Sequence, residues 1–255
     1  MGGFDDCART HANVSGASAG KDYIPHHAFF QYWISTQNAR HLPPSSDANI
    51  GKLDQAHHQY DLDRFFTALA SNNLPAVSFL KAPAYQDGHA GYSDPLDEQT
   101  FLVNTINATM RSPQWRDTAI VISDDDSDGW YDHVMGPIVF QSNVTDDRLL
   151  GVANCGAPKA TDSAGATQNG RCGYGPRMPL LVISPWAKSN FIDHEVTDQS
   201  SITRFIEDNW GLPRIGNGSA DAVAGTLNGM FDFAAKRRAG LLLLDEKTRS
   251  RLRDD

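Results

Sequence analysis

The stretch Ser123-Asp124-Asp125-Asp126-Ser127-Asp128-Gly129-Trp130-Tyr131-Asp132-His133 concentrates more chemistry than any other part of the sequence. Adjacent carboxylates repel one another unless a cation neutralises them, so a divalent metal ion is their natural occupant. Oxygen donors suit magnesium, calcium or manganese, and added histidines would admit zinc or iron, so the residues leave the identity of the ion open. Asp124, Asp126, Asp128 and Gly129 also fall on positions one, three, five and six of a calcium-binding EF-hand loop. Against that reading, position twelve is Met135 rather than a bidentate Glu, and the preceding residues are strand-like where an EF-hand needs a helix. A solvated acidic turn is the plainest alternative.

Imidazole is the second signal. Of nine histidines, His26 and His27 sit together in Lys21-Asp22-Tyr23-Ile24-Pro25-His26-His27-Ala28-Phe29-Phe30, and His89 sits in the loop after a predicted strand. Such rings can hydrogen-bond phosphate oxygens or pass a proton to a leaving group near neutral pH. Each alone is more simply a structural histidine, as His57 and His58 in a helical pattern are read to be; the three gain weight jointly with the acidic loop. Arg177, in Gly175-Pro176-Arg177, is read as a structural tether in preference to an anion contact. No nucleophile elbow, phosphate-cradling glycine loop or cysteine-rich metal cluster is present in the sequence.

The elements that must position these groups alternate in type. From Asp54, the spacing of His58, Leu62, Phe65, Phe66 and Leu69 predicts a helix, followed by a strand over 74–80. Asp94 is a predicted cap with Pro95 at the first helical position and Asp97 and Glu98 in the first turn, for a helix running to about Arg111. The β-branched run 118–123 predicts a buried interior strand, and 178–184 a second one. Thr197 or Asp198 then caps a helix that Gly211 ends. Residues 1–20 read as an irregular lead-in. Alternating strands and helices imply an α/β fold with a mostly parallel sheet covered on both faces, read as one domain over 1–255.

The formal charge of −9 disfavours a non-specific grip on nucleic acid or an anionic membrane surface, so an anionic substrate needs a metal or a local cluster of donors. No run of about 18 apolar residues predicts a transmembrane segment, and the first residues lack the basic and apolar stretches of a signal peptide. Of three cysteines, Cys155 and Cys172 bracket a Gly/Ala/Ser/Thr-rich loop that a disulfide could staple, leaving Cys7 over. The sequons at Asn13, Asn107 and Asn143 carry no functional weight.

Four stretches together resemble a family: Tyr23-Ile24-Pro25-His26-His27; Leu74-Pro75-Ala76-Val77-Ser78-Phe79-Leu80-Lys81-Ala82-Pro83; Asp125-Asp126-Ser127-Asp128-Gly129-Trp130-Tyr131-Asp132-His133; and Asp198-Gln199-Ser200-Ser201-Ile202. In order and over nearly the whole chain, they resemble the phosphoesterase family of bacterial phospholipases C and acid phosphatases. The resemblance implies an alkaline-phosphatase-like αβα sandwich and a metal-assisted attack on phosphorus by a hydroxyl. It makes Asp125 and Asp126 the metal-ligand pair and places His26, His27 and His89 in the pocket for a phosphate-ester substrate. Asp124 stands where the family usually has an uncharged residue. The family's Glu-Asn metal pair and its hydroxyl nucleophile have no counterpart here, so the chain resembles roughly the C-terminal half of a member, with the N-terminal part missing. An exported parent, secreted or periplasmic, fits the resemblance. A catalytically inactive metal-binding or interaction remnant is the alternative.

Overall fold

The structure, a computed structural model, describes residues 7–17, 20–127, 130–134, 136, 160–161, 167–168, 174–216, 219–234 and 240–252. The chain divides into two compact units, Met1–Thr118 with Ala239–Asp255, and Ala119–Arg238.

In the first unit, helix α1 spans Leu62–Ala70 and helix α2 spans Pro95–Arg111. α2 begins as the sequence predicts: the Asp94 carboxylate accepts the Leu96 amide at 2.9 Å, Pro95 needs no amide partner there, and Asp97 and Glu98 face the positive end of the helix dipole. Ile50, Ala56, Ala68, Leu69, Ala84, Val103, Met110 and Leu243 form its buried apolar core. Inside that core Asn107 clasps the returning chain, donating to the Leu244 carbonyl at 2.7 Å and accepting from the Leu244 amide at 3.2 Å. The Asn107 sequon is thereby closed to modification in the folded unit, since the residue is only 7% exposed.

Two expectations for this unit are corrected. α1 starts at Leu62 rather than near Asp54, because Asp54 turns the chain through bonds to the Ser45 and Ala56 amides, and His57 and His58 take positive φ of 50° and 63°. Left-handed residues cannot sit inside a right-handed helix. The expected strand over 74–80 pairs with no strand among the described residues: Pro75 has no amide to donate, and the Leu74 amide goes to the Gln114 side chain at 3.4 Å.

The second unit carries strand β1, Ile120–Ser123, the two-residue strands β2, Ala160–Thr161, and β3, Thr167–Gln168, strand β4, Leu180–Ile183, and helix α3, Ser200–Trp210. β1 pairs with β4, Ile120 opposite Ile183 and Ser123 opposite Leu180, and β2 pairs with β3. Both pairings are antiparallel, so the mostly parallel sheet expected from the element order is not formed by the described strands. β1 is half-buried rather than the fully buried interior strand expected. α3 ends at Gly211, whose φ of 62° is the left-handed stop read from the sequence, with the Leu212 amide reaching back to the Glu207 carbonyl at 2.8 Å. Ala224, Leu227 and Phe231 are buried among its described residues, and Phe231 stacks on Phe205 of α3 at 5.2 Å.

Candidate functional site

The acidic loop leaves the carboxyl end of β1 directly. A strand, not a helix, precedes Asp124, which removes the EF-hand reading. The loop is held by α3. The Gln199 amide donates to the carbonyls of Asp124 at 3.1 Å and Asp125 at 2.6 Å. Gln199 is in turn fixed by Asp198, whose carboxylate accepts the Ser200 amide at 2.6 Å and whose own amide donates to the Ser201 hydroxyl at 3.0 Å. This reciprocal cap ties the first turn of α3 to the backbone that presents Asp125 and Asp126. Tyr174 faces Asp198 as well, and its phenol is pushed above its ordinary value by burial first and by that carboxylate second.

The far end of the loop is anchored by Arg177. Its guanidinium meets Asp132 in a fork, Nε to Oδ2 and Nη2 to Oδ1, both at 2.9 Å, and its backbone amide reaches Oδ2 at 2.9 Å. These donors, with the Val134 amide, hold the Asp132 carboxyl well below the usual carboxylate range, the Arg177 side chain being the largest cause. Arg177 is therefore a tether, as its sequence context predicts, and Asp132 is a structural member of the loop. His133 lies beside the fork, its Nδ1 3.6 Å from Asp132 Oδ1, with its ring 80% exposed. Asp128 and the Cys155–Cys172 pair lie outside the described residues.

The three selected histidines belong to the first unit, and Asp125 and Asp126 to the second. His26 and His27 open the short 3-10 segment Pro25–Tyr32, their rings edge-to-face at 4.8 Å. His89 sits in a rigid turn: its amide donates to Asp87 Oδ1 at 3.0 Å, its Nδ1 accepts the Gly91 amide at 3.0 Å, and its ring stacks on Tyr92 at 4.3 Å. Tyr92 is itself fixed by a 3.0 Å bond to Asp87 Oδ2. With Nδ1 accepting, the neutral ring carries its proton on Nε2, a donor for an anion. Sequence reasoning missed a further imidazole, His11, whose Nδ1 lies 2.7 Å from Asp22 Oδ2. The available signal was Asp22, which immediately precedes the Tyr23-Ile24-Pro25-His26-His27 stretch.

Among the described residues no group of three or more His, Cys, Asp or Glu side chains is placed to hold a metal ion. Asp125 and Asp126 can offer at most four oxygens, whereas hard divalent cations take about six or more, so these residues fit such an ion only as part of a larger ligand set. No helix among the described residues is long and apolar enough to cross a membrane.

Residues 9–213 match the model of the Phosphoesterase family. The non-hemolytic phospholipase C of Pseudomonas aeruginosa is 33% identical over 180 residues, covering 69% of this chain and 26% of that protein. Phospholipase C A of Mycobacterium tuberculosis is 29% identical over 173 residues, 67% of this chain and 32% of that protein. The non-specific phospholipase C6 of Arabidopsis thaliana is 29% identical over 152 residues, 54% of this chain and 25% of that protein. The chain thus spans about a quarter to a third of the length of these relatives.

Proposed function

Because this chain belongs to the Phosphoesterase family, we propose that it is the phosphate-binding and acidic-loop portion of a phosphate-ester hydrolase, of the phospholipase C or acid phosphatase kind. The observation that carries the reading is the Gln199 amide on the carbonyls of Asp124 and Asp125, which joins two of the family-like stretches at the carboxyl end of β1. In this reading Asp125 and Asp126 supply part of the ligand set of a divalent metal, and His26, His27 and His89 bind the phosphate of the ester. A fixed Nε2–H on His89 suits a phosphate oxygen, and the chain's net charge of −9 makes such local donors necessary for holding an anion. The names of the relatives favour a phospholipid or related phosphate ester as substrate.

The same reading predicts that this chain alone turns over p-nitrophenyl phosphate no faster than background, with magnesium, calcium, manganese or zinc. Two aspartates leave a hard cation short of ligands, and no residue matching the family's nucleophile is present to open a covalent route. Robust turnover that an Asp125→Ala, Asp126→Ala double variant abolishes would overturn this account of an incomplete site. The second reading, an inactive metal-binding or interaction remnant, is favoured by the lack of a three-ligand group among the described residues. Adding a polypeptide that carries a relative's Glu-Asn and hydroxyl-bearing segments separates the two: recovered turnover supports the hydrolase, and its absence with intact binding supports the remnant.

A further inference from the structure

We propose that His11 and Asp22 form a further phosphate-ester-binding pair, an imidazole oriented by a carboxylate and serving the same ligand as His26, His27 and His89; this rests on the reading of those three as phosphate-binding. His11 Nδ1 lies 2.7 Å from Asp22 Oδ2. A carboxylate on one ring nitrogen fixes the tautomer and aims the other nitrogen, here Nε2, away from it. The ring is also stacked on Tyr85, centroids 4.8 Å apart and planes 28° from parallel, so two contacts set its orientation. Its side chain remains 48% exposed while that of Asp22 is only 13% exposed, which leaves the outer edge of the imidazole open to a ligand over a sheltered carboxylate.

A surface clip is the competing explanation, and the local bonding argues against it. The lead-in is already fastened by the Asp22 amide to the Arg9 carbonyl at 2.8 Å, by Asn13 to the Tyr92 carbonyl at 3.4 Å, and by the Val14 amide to Asp97 at 2.6 Å. Asp22 Oδ1 is buried without a hydrogen-bond partner among the described residues. The pair is joined to both histidine-bearing segments. Asp22 lies four residues before His26, and its carbonyl accepts the Ala84 amide at 3.0 Å. Tyr85 opens the turn that carries His89, and Asn13 holds the residue, Tyr92, on which His89 stacks. An imidazolium at this position would donate through both nitrogens, Nδ1 to Asp22 and Nε2 outward to an anion.

The test follows the nine imidazoles of the full chain by 15N NMR at constant ionic strength. Inorganic phosphate is titrated in one arm and phosphocholine in the other, so that a free phosphate and a lipid headgroup are distinguished by which binds tighter. The expected result is that His11 Nε2 shifts with the same midpoint as His26, His27 and His89. His11→Gln then weakens binding about tenfold, the loss of one charge-assisted hydrogen bond. Asp22→Asn alters the His11 Nδ1 resonance and weakens binding with little change in thermal midpoint, separating orientation of the ring from support of the fold. Responses at His26, His27 and His89 without His11 overturn this inference and leave the phosphate pocket standing. Silence at all four overturns the pocket as well. The wild-type titration decides even if a variant fails to fold.

Discussion

Replacing Gln199 with Ala removes the side-chain amide that donates to two successive carbonyls of the acidic loop, at 3.1 Å on Asp124 and 2.6 Å on Asp125. Each such bond contributes about 0.5–1.5 kcal/mol net, and the exposure of this site places both near the lower half of that range. The variant should therefore lose about 1–2 kcal/mol from the closed state of the loop, raising its open population about five- to thirtyfold. Gln199→Glu should be worse, because a carboxylate would face two carbonyl oxygens with no proton to give. Amide hydrogen exchange is the assay: loop residues 124–127 should lose protection in the order wild type, Ala, Glu, with α2 as the internal control. If the loop exchanges identically in all three while α2 stays protected, the latch does not hold the loop, and the carrying observation for the proposed site fails.

Three other perturbations test the surrounding structure. Asn107→Ala leaves the half-buried Leu244 amide and carbonyl without their side-chain partner, and should cost about 1–3 kcal/mol, read as a lower denaturation midpoint. Asp94→Ala removes the α2 cap and should cost about 1 kcal/mol, with a smaller effect for Asp94→Asn, whose side-chain oxygen still accepts. The depressed carboxyl of Asp132 stabilises the fold fully above the ordinary aspartate range of about pH 4 and loses that contribution as pH falls through its lower folded-state value, so the thermal midpoints of wild type and Asp132→Asn should converge on acidification.

What the sequence reveals here depends on how local the determining physics is. α2 is legible from end to end because its signals, Asp94, Pro95 and the acidic first turn, act within a few residues. The stop at Gly211 is legible for the same reason, a left-handed residue being cheapest as glycine. α1 misleads at its start because apolar spacing continues through His57 and His58, where the backbone turns left-handed under the Asp54 turn. The stretch 74–80 reads as a strand by composition, yet its Leu74 amide is taken by a side chain 40 residues away, a partner that no window of sequence exposes. His11 and Asp22 were hidden by their separation and by a lead-in whose small polar residues resemble an unstructured loop.

The acidic loop divides its carboxylates by task, and that division sets how mutations should be interpreted. Asp132 is committed to the Arg177 fork and Asp198 to the first turn of α3, so neither is expected among the ligands of an ion. Both instead hold the backbone from which Asp125 and Asp126 project, one at the far end of the loop and one through Gln199. Loss of either anchor should disturb loop geometry whether or not an ion is present, because its partners are protein donors. If the proposed metal site holds, loss of Asp125 or Asp126 should act through the ion, since a nearby cation favours the charged form of adjacent carboxylates. Added divalent ion should therefore stabilise the wild-type chain by mass action, and Asp132→Asn to a lesser degree, but not the Asp125→Ala, Asp126→Ala variant. Equal stabilisation of all three would place ion binding elsewhere and separate the acidic loop from the metal chemistry proposed for it.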